Sequence, residues 1–120
     1  MRPAPRVTAW IAATLLSPAL AHAEGAKDPK TERTFKAKCA SCHGADGKGE
    51  TEQAKKMGGI GDMTSAAWQK KWSDEQIKSA IENGVHETRD GNKKEMDAYK
   101  SKLPAPQIDA LVVYIRGLGK

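Results

Sequence analysis

Five residues in the first half of the chain, Cys39-Ala40-Ser41-Cys42-His43, combine types that do chemistry together. Their spacing is C-x-x-C-H, the pattern for covalent attachment of a c-type haem. Two thiols separated by two residues reach both vinyl groups of one porphyrin and form thioether bonds. The histidine beside the second thiol is then held under the iron as a neutral imidazole. On this reading Cys39 and Cys42 bind one haem c covalently and His43 is its first metal ligand. Other readings are a thioredoxin-like redox pair, half of a zinc site and a structural disulfide. The first needs a βαβ context, and no strand pattern lies nearby. The second lacks partners, because the chain has only 2 cysteines and His22 lies in a segment expected to be removed. The third requires an oxidising compartment.

An iron held by one histidine has a second axial position, and its occupant decides the function. A thioether stabilises ferrous iron and raises the potential, whereas an open position permits ligand binding or catalysis. The candidates are Met57, Met63, Met96 and His86. Met57 and Met63 follow His43 by 14 and 20 residues, where the chain is still leaving the histidine side. Met96 comes 53 residues after His43, beyond an intervening helix and just before the terminal one, with room to cross the edge of the cofactor. Met96 is therefore the expected second metal ligand, with His86 next.

The elements that must position these residues read as helices. Asp28-Pro29 is a helix start, with Asp as N-cap and Pro at the first helical position, and the helix is expected to run from Pro29 to Ala40. Phe35 lies four residues before Cys39 and shares its face. The glycine-rich stretch Gly44–Gly49 reverses the chain after His43; it lacks the spacing and preceding strand of a phosphate loop. Glu50–Lys56 is a short helix or a loop. Thr64 or Ser65 caps a short helix carrying Trp68, with Trp72 one turn on. Ser73-Asp74-Glu75-Gln76 is a capping box, Ile77, Ala80 and Ile81 form the apolar stripe behind it, and Gly84 ends that helix. Val85–Lys94 is polar and reads as a loop, and Met96–Lys102 as a transitional segment anchored by Tyr99 and Leu103. The last helix starts near Pro104 and ends by Gly117, with Ile108, Leu111, Val112 and Ile115 spaced for one buried face. No segment alternates as a strand. The fold class is all-α, with three to five short helices joined by long loops.

The 120-residue length suits one domain. Residues 1–23 read as a secretory signal peptide: Arg2 and Arg6, a short apolar run from Val7 to Leu20, then Ala21-His22-Ala23 as the cleavage site. That run is too short and too interrupted for a comfortable membrane span, so residues 24–120 are expected as an exported domain without stable membrane insertion. The full chain carries a net charge of +5, and Arg2 and Arg6 account for all of its charge within residues 1–23. This balance does not suit a nucleic-acid binder. Lysine pairs at Lys55-Lys56, Lys70-Lys71 and Lys93-Lys94 suit either a solvated surface or docking of acidic redox proteins. A domain this small is marginal by itself, and a large apolar cofactor supplies the missing core.

Phe35 ahead of CASCHG, GDMTSAAW before SDEQIKSAIENG, then MDAYKSKL and IDALVVYIRGL, together resemble the class I c-type cytochromes, in their small bacterial monohaem form. The resemblance spans residues 28–118. It implies a cytochrome c fold wrapped around one covalently bound haem, a crossing of first and last helices near Phe35 and Tyr114, and His43 and Met96 as axial ligands. Met57 and Met63 then become loop or core residues. Three positions depart from the family pattern. Asp97 follows the methionine where proline is frequent. Gly61 stands where a proline carbonyl often accepts the hydrogen bond of the proximal histidine. Thr31 occupies a crossing position often held by Gly or Ala. The function implied is that of a monomeric, diffusible, periplasmic one-electron carrier that is not an enzyme. A subunit of a larger redox complex, and a haem sensor or enzyme with an open sixth position, are the alternatives.

Overall fold

The structure, a computed structural model, describes residues 28–120 together with Pro3 and Ala4. The expected signal peptide and its cleavage site otherwise lie outside the described residues. Among these residues the chain forms six helices and one antiparallel hairpin: α1 (Pro29–Lys38), α2 (Ala40–His43), α3 (Glu52–Lys56), α4 (Ala66–Lys71), α5 (Asp74–Asn83), β1 (Val85–Arg89), β2 (Asn92–Met96) and α6 (Ala105–Leu118).

Local chemistry sets most of the helix starts. The Asp28 carboxylate accepts from the backbone N–H groups of Lys30 and Thr31 and from the Thr31 hydroxyl, the last at 2.7 Å. That bond satisfies Thr31, which is buried at the departure position noted above. Thr51 and Ser65 cap α3 and α4, and Ser73 and Gln76 form the reciprocal capping box of α5. The helix expected to continue to Ala40 instead breaks at Cys39, and the attachment motif occupies this break and the single turn of α2.

The all-α expectation needs correction. Val85–Arg89 and Asn92–Met96 pair from Val85 opposite Met96 to Arg89 opposite Asn92. The signal was Asp90-Gly91, whose φ values of 52° and 78° are both positive, as a type I′ hairpin turn requires. The strands carry few apolar residues to mark an alternation, so the turn was the legible part. The helix count also exceeds the expected three to five, because α2 separates from α1 and Glu52–Lys56 forms its own turn.

The core gathers where α6 packs on α1 and α5. Ile108, Leu111, Val112 and Ile115 are all buried, as their spacing predicts. Phe35 and Tyr114 meet between α1 and α6 with ring centroids 5.0 Å apart, within the range of favourable tilted aromatic pairs. A polar clasp fastens the other end of α6. Arg116 donates to the carbonyls of Gln69 and Trp72, at 2.7 and 2.6 Å, and to the Asp74 carboxylate at 2.6 Å. It thereby satisfies the end of α4 and ties it to the start of α5.

Candidate haem site

The motif turn is fixed by its own backbone and by one side chain. The His43 N–H donates to the Cys39 carbonyl at 2.9 Å, and the Gly49 N–H returns to the His43 carbonyl at 2.7 Å. The Thr51 hydroxyl donates to the Cys42 carbonyl at 2.6 Å while its oxygen caps α3. Gly44–Gly49 thus reverses the chain just after His43, as expected.

Cys39, Cys42 and His43 open onto a cavity of about 900 Å³, toward the upper end for a small-molecule or cofactor site. Phe35, Ile77, Ile81, Leu111 and Ile115 contribute apolar wall. Trp68, in α4, and Trp72, the extended residue that ends it, also border the cavity. Met96, at the end of β2, borders the same cavity and is half-buried against the core.

The other candidate ligands reach the cavity in different settings. Met63 is a buried core residue. Met57 ends α3, and its Sδ accepts the Glu95 N–H at 3.4 Å. His86 stands at the rim with its side chain 60% exposed, and its Nδ1 lies 2.6 Å from the Glu95 carboxylate. The hairpin register explains this placement: His86 and Glu95 form a pair, and Val85 and Met96 form the neighbouring pair on the opposite face.

Electrostatics distinguish the readings of the motif. Burial pushes the Cys39 thiol up to about 11, so it is protonated at neutral pH, unlike the lowered thiol of a catalytic redox pair. Both cysteines are free. Burial lowers the His43 pKa, which favours the neutral imidazole that ligates metals. Among the described residues, no group of three or more His, Cys, Asp or Glu is placed to hold a metal ion, so zinc gains no support.

One contact frequent in the family is not made. His43 Nδ1 is buried with no hydrogen-bond partner, so the Gly61 carbonyl, at the position where a proline carbonyl often accepts that bond, does not replace it. That carbonyl lies against Gly49, where an added Cβ would press on its oxygen. Glycine at position 61 leaves the carbonyl without the orientation that a proline ring imposes. The donor set nonetheless fits a haem: two thiols and a neutral imidazole on one wall, a thioether on another, and apolar side chains between them.

A family model described as cytochrome C oxidase, cbb3-type, subunit III matches residues 26–115. This chain belongs to that family of c-type cytochromes. The solved structure of the KustC0563 c-type cytochrome is 31% identical, with a TM-score of 0.59, covering 75% of this chain and 98% of that one. A tyrosine-to-phenylalanine mutant of Kustc0563 is 33% identical, with a TM-score of 0.60, covering 73% of this chain and 96% of that one. No curated protein matches. Membership implies haem c as the cofactor of this cytochrome and haem-based electron transfer as its chemistry.

Sequence reasoning missed three features of the site. These are the hairpin that carries Met96, the Thr51 bond to the motif, and the 3.0 Å bond from the Tyr99 hydroxyl to the Lys38 carbonyl at the end of α1. Only the hairpin had a local signal. The other two join residues that composition and periodicity do not relate.

Proposed function

We propose that this cytochrome is a monomeric one-electron carrier with one haem c, attached through Cys39 and Cys42 and ligated by His43 and Met96. The observation that carries this reading is the convergence of those four residues on one cavity lined by apolar side chains. When bound, the haem supplies the one-electron couple between Fe(III) and Fe(II). The chain supplies two neutral ligands: burial keeps the His43 imidazole uncharged, and the Met96 thioether favours the reduced state. Phe35, Ile81 and Leu111 exclude water from the site, which adds to the tuning of the potential. With His43 and Met96 holding the iron, no position would remain for a substrate, and the role would be electron transfer rather than catalysis.

The attachment chemistry and the N-terminal leader pattern support export to the periplasm. No helix among the described residues is long and apolar enough to cross a membrane. Lys38, Lys71 and Lys94 border the cavity, which suits approach of an acidic redox protein to its mouth. The description of the matching family favours a second reading, an electron-transfer subunit of a larger redox complex. Mass spectrometry and a redox titration test the proposal together. The expected result is one haem per chain surviving denaturation, on the peptide containing Cys39 and Cys42, with a reversible one-electron titration. Absence of covalent haem would overturn it, and stable co-purification with other redox subunits would favour the second reading.

A further inference from the structure

The hairpin that carries Met96 has little to hold itself in place. Val85 and Met96 are the only apolar residues among the ten in its two strands, and an isolated two-stranded hairpin is marginal in water. Its attachment to the rest of the molecule is therefore informative. Beyond Met96 the chain is tied by backbone bonds, Tyr99 N–H to Ile81 carbonyl at 2.8 Å and Lys100 N–H to Glu82 carbonyl at 3.1 Å. Before Met96 the Arg89 guanidinium lies over the Trp72 ring, 5.9 Å from its centroid, but the strand that carries Met96 is fastened by side chains to one loop. The Lys94 ammonium donates to the carbonyls of Met57 and Gly59 at 2.5 and 2.6 Å. The Glu95 N–H donates to Met57 Sδ at 3.4 Å. Gly58, between them, lies so close to the Asn92 side chain that a Cβ would collide with it.

We propose that Lys94 and Met57 are positioning residues that latch the Met96 strand onto the loop of residues 57–59 and so hold Met96 at the cavity. The inference rests on Met96 being the axial ligand. It also gives Met57 a role, since its sulfur serves the strand that presents the ligand. The ammonium spans two carbonyls with charge-assisted bonds, and its own backbone position is two residues from Met96. Releasing it leaves Met96 held by its pairing with Val85 and by the segment that follows it, so the thioether would depart from the iron more often.

The test uses the ferric holoprotein and exogenous imidazole, which binds only when Met96 has left. Association is followed by stopped flow, and the far-red sulfur-to-iron band reports ligation at rest. Lys94→Leu removes both charged hydrogen bonds to the loop and is expected to keep the band and to raise imidazole association at least about tenfold. Lys94→Arg, which retains the charge and donors, restores a rate near that of the unsubstituted protein. Met57→Leu keeps the volume, removes the acceptor, and is expected to raise the rate about threefold with the band retained. That variant carries the test if Lys94→Leu does not yield holoprotein. Met96→Ala separates the two readings. If it abolishes the band while Lys94→Leu and Met57→Leu bind imidazole at the original rate, the latch is wrong and the ligand assignment stands. If it leaves the band intact, or if Met57→Leu removes the band, the ligand assignment fails and the latch falls with it.

Discussion

His43 sits on a helical turn whose backbone closes on itself and whose flanks are secured by Thr51 and Gly49. Met96 ends a half-exposed strand fastened by a lysine side chain, a thioether and a glycine contact. The two walls of one cavity are thus built differently. The wall that bears the thiols is continuous with the core, through Phe35 in α1 and its contact with Tyr114 in α6. The wall that bears the thioether is an appendage docked onto a loop. Under the proposed ligation a redox site would gain from this division, because the motif side would fix the cofactor while the other side would set how firmly the sixth ligand is held.

The largest expected effect removes the first wall's chemistry. Replacing both Cys39 and Cys42 by Ala should abolish covalent haem, read as loss of haem staining on a denaturing gel. Retained staining would break the comparison at its root. Next is Phe35→Ala. Phe35 is fully buried, and deleting such a ring costs about 3–5 kcal/mol, visible as a large fall in thermal midpoint. On the second wall, Gly84→Ala tests the seat of Met96. Gly84 has φ 71° and lies against the Met96 carbonyl. Its ψ of -176° makes this an extended conformation at positive φ that is essentially glycine-only and costs another residue about 1–3 kcal/mol, so stability should fall by at least that amount and the far-red band should weaken. An equal loss of stability with an unchanged band would show that strain at residue 84 does not reach Met96.

How much of this was legible follows the same division. Asp28-Pro29, the Ser73–Gln76 box, Gly84 and the C-x-x-C-H spacing are local signals whose causes lie within four residues, and each appears where the sequence places it. The hairpin escaped because its strands lack alternating apolar residues and draw their support from residues 57–59, more than thirty positions away. The Arg116 clasp is equally silent in the sequence, since it joins α6 to residues of α4 and α5. The departure at Gly61 has a related lesson: sequence position identifies a carbonyl but not its direction. Glycine leaves that direction to packing.

The smallest effect is a pH dependence. The Thr31 hydroxyl holds the Asp28 carboxyl below its usual pKa, and the Thr64 hydroxyl does the same for Asp62. A carboxylate with a lower pKa folded than unfolded contributes stability above its unfolded pKa and loses it as pH falls through the folded value. The thermal midpoint should therefore decline modestly as the solution is acidified below the ordinary carboxylate range. Asp28→Asn should reduce that decline, and an unchanged acid profile in this variant would contradict the role assigned to the cap.

The most direct test of the account is a visible spectrum of the holoprotein, first oxidised, then reduced, then exposed to carbon monoxide. Ligation by His43 and Met96 predicts low-spin spectra in both states, a weak far-red band when oxidised, and no response to carbon monoxide. A high-spin reduced spectrum with rapid carbon monoxide binding would contradict it, showing an open sixth position and a sensor or enzyme in place of a carrier.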